Sequence, residues 1–104
     1  MPNYIVHFKA NPSGWPSDPS EILTMWEGVV AGANRLLEQG LFEGIYWVSN
    51  LEGYALTEAE SKAAVITMIT PFFPLFTQDV MELTPHPEAG EALLAGAKMA
   101  AESS

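Results

Sequence analysis

The hydrophobic period of this 104-residue chain switches from two to about 3.6 and back, twice, and that order restricts the fold more than any single motif. Tyr4, Val6 and Phe8 alternate with Ile5, His7 and Lys9, which predicts a strand with one richly apolar face and one mixed face. The stretch ANPSGWPSDPS then clusters Pro, Gly, Ser and Asn into a loop, within which Trp15 must find apolar cover. Asp18-Pro19-Ser20-Glu21 reads as a helix start, with Asp18 as cap, Pro19 in the first turn and Glu21 completing a capping box. Ile22, Met25, Trp26, Val29, Ala33, Leu36 and Leu37 follow at helical spacing, and Gly40 supplies a left-handed stop.

LFEGIYWVSN and LEGYALTE are strand-like runs rich in aromatic and branched residues, meeting at a hairpin turn over Ser49 to Gly53. Ser61 can cap a shorter helix through Ala63, Val65, Ile66 and Ile69, which Pro71 stops by removing a donor and crowding the preceding turn. The segment PFFPLF leads into QDVMEL, a last strand on which Val80 and Met81 mark opposite faces. Pro87 opens an Ala-rich C-terminal helix over about 87–101, with Leu93, Leu94, Ala97 and Met99 as its expected apolar contacts.

The expected architecture is a single α+β domain over 1–104, a ferredoxin-like βαββαβ order with a four-stranded antiparallel sheet and both helices on one face. Apolar residues at 48% and charged residues at 16% support a packed core of that size. The second sheet face is left bare. Ile5, Ile45 and Trp47 are expected there, forming an apolar patch that soluble monomers seldom leave open. Two sheets pairing face to face would hide it, so a homodimer or larger homo-oligomer is expected, with any ligand between the sheets.

Other partners are disfavoured. Thirteen acids against four Lys and Arg leave a formal charge of −9, which opposes close approach to nucleic acid or to anionic lipid heads. The absence of cysteine excludes disulfides, thiolate metal sites and cysteine nucleophiles. With no apolar run near membrane-spanning length and no basic-then-apolar opening, a cytoplasmic location is expected.

The stretch ITPFFPLFTQDVMELTPHP resembles the muconolactone δ-isomerase family, whose Pro-Phe-Pro-like segment, strand and His-Pro pair match Pro71, Phe73, Pro74, Val80, Leu83, His86 and Pro87. His7-Phe8-Lys9 is similar to that family's His-x-Lys or His-x-Arg in the first strand, and Asp18-Pro19 to Gly40 bracket a helix of its length. The likeness covers most of the chain, with gaps near the first loop and the second helix. It implies a dimeric α/β barrel assembled into rings, and a double-bond shift by proton transfer with no metal or organic cofactor. The chain also departs from that pattern. Val29 stands where the family has a helix glutamate, Trp47 where it has a strand arginine, and Pro85 where an arginine precedes His-Pro. The two arginine losses remove the cations that would receive an anionic lactone.

Within that frame His7 and Lys9 are the candidate catalytic residues. They share a strand face with Cβ atoms about 7 Å apart, so His7 could act as base and Lys9 could stabilise a developing enolate oxygen. Trp47 and Tyr54 on the central hairpin, Phe73 in the Pro-Phe-Pro segment and His86 at the last helix start are the candidate substrate-binding residues. Strand parity forbids Tyr46 and Trp47 from pointing the same way, and Trp47 is expected to face the ligand. Two histidines without ligand-like spacing make no case for metal. The alternatives to catalysis are a ligand-binding or sensing protein, or an assembly module.

Overall fold

A computed structural model describes residues 1–103. Its elements run β1 (Asn3–Ala10), α1 (Pro19–Glu38), β2 (Gly44–Ser49), β3 (Glu52–Glu58), α2 (Lys62–Ile69), β4 (Phe76–Leu83) and α3 (His86–Glu102), with short 3₁₀ turns at Pro12–Gly14 and Thr70–Phe72. The strands form one antiparallel sheet in the order β2-β3-β1-β4, the ferredoxin-like arrangement that the alternating periods predict.

Local chemistry explains where the elements begin and stop. The Asp18 carboxylate accepts hydrogen bonds from the backbone N–H of Ser20 at 3.1 Å and of Glu21 at 3.3 Å, satisfying first-turn donors of α1. At the other end Gly40 takes φ +69°, a left-handed conformation that costs glycine no Cβ clash. The Ser61 hydroxyl accepts from the Ala64 N–H at 3.2 Å, and α2 ends at Ile69, two residues ahead of Pro71. The last strand starts two residues before its expected onset, at Phe76.

The core lies between the sheet and the helices. Val6 and Val65 are almost wholly buried, each worth about 1.5–3 kcal/mol by removal of its side chain from water. Thr57, also buried, donates its hydroxyl to the Leu41 carbonyl, so its polar atom is not stranded. Phe8, Trp15, Trp26, Trp47 and Phe76 meet edge to face, and the Trp15 indole donates to the Leu75 carbonyl at 2.9 Å, which supplies the cover that this loop residue needed.

Several expected positions are corrected. Ile45 pairs with Ala55 and Trp47 with Gly53, so both side chains lie on the helix-covered face and not on the bare one. Small residues on β3 make the room: a Cβ on Gly53 would collide with the Phe8 ring and with the Tyr46 carbonyl. Leu37 does not join the inner stripe of α1; it stands 39% exposed on a flank with Leu23 and Val30. On α3 the expected contacts Leu93, Leu94 and Met99 are all exposed, and Met99 also lies across the helix from Leu94 and Ala97 at 100° per residue, on its charged side.

Shape separates the last helix from the rest. No residue of α3 is buried, and the molecule measures 63 × 29 × 22 Å with a radius of gyration of 18.0 Å. A compact chain of this length has a radius near 13 Å. The helix therefore projects as an arm and leaves the second sheet face uncovered.

Candidate functional site

The register places one row of polar side chains across the bare face of the sheet. Tyr46 on β2 pairs with Tyr54 on β3, Tyr54 with His7 on β1, and His7 with Asp79 on β4. An adjacent row holds Glu52, Lys9 and Thr77. On the other side Leu56, Ile5 and Met81 form an apolar row that ends at Gly44. Directly opposed residues sit roughly 4.5–5.5 Å apart, so a small molecule on this face would touch several rows at once.

His7 is the most fixed of these groups. Its ring lies flat on Tyr54, with centroids 4.6 Å apart and planes at 14°, and its Nε2 is 2.7 Å from Glu52 Oε2. Its side chain is 16% exposed and that of Glu52 37%, so the pair is sheltered but reachable. Against a carboxylate acceptor the neutral ring holds its hydrogen on Nε2 and presents a lone pair at Nδ1. Asp79 faces the same ring from β4, and Lys9 extends from the next position on that face of β1.

The other expected site residues lie in four different places. Tyr54 is on the bare face as the platform under His7. Trp47 is on the opposite face, between Phe8, Trp26 and Phe76, so its expected place in the inter-sheet space passes to Tyr46, which is 60% exposed. Phe73 follows the Thr70–Phe72 turn and is 62% exposed, while its neighbour Phe72 lines the core. His86 begins α3 with no side-chain cap hydrogen bond, its ring beside Gly90. Glu52 is not among the candidates that the sequence offers; its diagonal offset from His7 on the paired strand is a signal that only the hairpin register exposes.

Two recesses border candidate site residues, Trp47 in one and His7 in the other, and volume decides between them. The void between α1 and the sheet, lined by Val6, Phe8, Ala33, Leu36 and Trp47, is only about 50 Å³. Cavities that take a benzene-sized guest are nearer 150 Å³, so this one is a gap in packing. Its polar lining residue Gln78 is already engaged, donating to the Ile69 carbonyl at 2.9 Å. By contrast an open depression of about 610 Å³ along the β4 edge is bordered by His7, Asp79, Met81, Ile66, Thr70 and Lys62, within the size range of small-molecule sites.

The clearest electrostatic perturbations lie away from this face. Burial, followed by the charge of Glu82 and the hydrogen bond to it at 3.3 Å, raises the Tyr4 hydroxyl above its ordinary value. Hydrogen bonds from the Ser20 hydroxyl and then the Glu21 N–H hold the Asp18 carboxyl below its ordinary value. Among the described residues no three His, Asp or Glu side chains converge as a metal site, and no helix is long and apolar enough to cross a membrane. Comparison with family models and with curated proteins finds no match to this chain.

Proposed function

We propose that this chain is a small-molecule-binding protein whose bare sheet face, closed by a second copy, carries a cofactor-free proton-transfer site of the muconolactone-isomerase type. The observation that supports it is the His7–Glu52–Tyr54 arrangement: a histidine held in orientation by a carboxylate and a ring, on an uncovered face, beside a recess of about 610 Å³. The ligand class is a modest apolar or carbonyl-bearing molecule, which the Ile5, Leu56 and Met81 row would seat.

In this reading Nδ1 of His7 takes a proton from the carbon beside the ligand's carbonyl. The C–H electron pair moves into the conjugated system as an enolate, whose oxygen is stabilised by Lys9. The imidazolium then returns the proton at the far end of the conjugated system, which moves the double bond and leaves atoms and charge unchanged. Glu52 holds the ring and offsets the positive charge that it carries between the two transfers.

The test is proton exchange and isomerisation of unsaturated lactones and β,γ-unsaturated ketones in heavy water, followed by NMR and ultraviolet absorbance. Turnover with a loss of 10² to 10⁴-fold in His7→Ala is expected, the range for one positioned general base, with a smaller loss in Glu52→Gln. Turnover that His7→Ala leaves intact would contradict the assignment. A second reading has its own observation: Glu52 and Asp79 flank His7, and Lys9 is the one cation in those rows, a poor setting for an anionic lactone. Saturable binding of neutral carbonyl compounds with no deuterium uptake would favour a non-catalytic binding protein.

A further inference from the structure

We infer that α3 is an exchanged arm, docking on a second copy of this chain along the flank of its α1 that carries Leu23, Val30 and Leu37. The inference rests on the face-to-face pairing of sheets in the function proposed above, and it adds where the arm goes.

Helix geometry first divides α3 into two sides. At 100° per residue His86, Gly90, Leu93, Leu94, Ala97 and Ala101 fall on one side, while Glu88, Glu91, Lys98 and Glu102 fall within an arc of about 80° on the other. That is the pattern of a helix with a surface to bury. Yet Leu93 is 72% and Leu94 67% exposed. A helix of 17 residues without packing is marginal in water, so its apolar side requires cover.

The exposed area suits a second copy as the cover. The chain exposes 6993 Å², against about 5,700 Å² for a compact monomer of its mass. The excess of about 1,300 Å² surpasses the ~800 Å² per partner of a standard interface. Reciprocal exchange of two arms would bury it twice over, the economy of domain swapping in a two-fold dimer.

The α1 flank fits the arm in length and position. Leu23, Val30 and Leu37 recur every seven residues, are 62%, 51% and 39% exposed, and span about 21 Å, against about 25 Å for α3. The opposite flank of α1 is occupied: a Cβ on Gly32 would lie 3.1 Å from the Phe72 ring. The exposed line therefore lies away from Phe72, on the β2 side of the sheet, the strand that α1 packs against. Two sheets paired across a two-fold axis parallel to their strands put β4 of one over β2 of the other. The arm that follows β4 then leaves its own body beside the partner's α1 flank. Small residues at Gly90, Ala97 and Ala101 permit the close helix approach that this requires.

Because the chain has no cysteine, introduced thiols report the contact cleanly. Full-length Val30→Cys labelled with ¹⁵N and unlabelled Ala97→Cys are equilibrated together, oxidised and mapped by mass spectrometry. A disulfide joining labelled to unlabelled chain is the expected result. Its absence in a protein that sediments as a dimer overturns the arm while leaving the sheet pairing intact, and sedimentation as a single chain overturns both. As a second measurement, Leu93→Glu with Leu94→Glu should weaken dimerisation at least tenfold without moving the near-ultraviolet spectrum of the body's tryptophans. A dimer constant unchanged within twofold would also overturn the arm.

Discussion

On the helix-covered face of β1, Tyr4 and Val6 are 4% and 1% exposed, whereas Ile5 and His7, one step along the same hydrogen-bonded backbone, remain only half-buried. On β4 the contrast repeats: Phe76 is 2% exposed while Met81 and Leu83, on the bare face, are 46% and 40% exposed. The two faces share strands, register and solvent, and differ in what their side chains do. The covered face is filled by aliphatic and aromatic groups and closed by α1 and α2. The bare face mixes an apolar row with a histidine, a lysine, tyrosines and carboxylates. The first supplies the buried core, and the second leaves its polar and apolar rows uncovered.

Truncating one side chain on each face of β4 sharpens that contrast. Phe76→Ala should cost about 3–5 kcal/mol in urea unfolding, since it empties a buried aromatic site. Met81→Ala should cost about 0.5 kcal/mol or less in dilute solution, and should instead weaken association at higher concentration. Equal losses at all concentrations would show that the bare face belongs to the monomer core.

A smaller effect distinguishes the faces by pH. Tyr4 ionises above its ordinary value of 10.0 because it is buried on the covered face and bonded to Glu82. A group with a raised folded-state pKa favours folding below its unfolded value, and that contribution is lost as pH climbs through the folded value. Wild type should therefore lose a few degrees of melting temperature relative to Tyr4→Phe between pH 9 and pH 11. A constant difference over that range would mean that the hydroxyl is hydrated in the folded protein.

Much of the architecture was legible because it is local. Asp18, Gly40, Ser61 and Pro71 act within a few residues of themselves, and each does so where its type and position imply. The side that a strand presents was harder. Tyr46 and Trp47 are both large and aromatic, so the parity of β2 depends on which partner residues are small, and Gly53 and Ala55 decide it only once the register is known. The candidate site was legible in part: strand parity alone puts His7 and Lys9 on one face, but Glu52 meets His7 across 45 positions of sequence and only through pairing of β1 with β3. The projection of α3 has no local signature, because its composition would suit a helix packed on its own sheet equally well.

Sedimentation equilibrium of the full chain at micromolar concentration, alongside Ile5→Glu on the bare face, puts the closure of that face to the most direct trial. A mass near twice the 11.3 kDa of one chain for wild type, falling to that of one chain for Ile5→Glu, is the expected result. A wild-type mass of one chain, or a dimer that a charge at Ile5 leaves undisturbed, would contradict it.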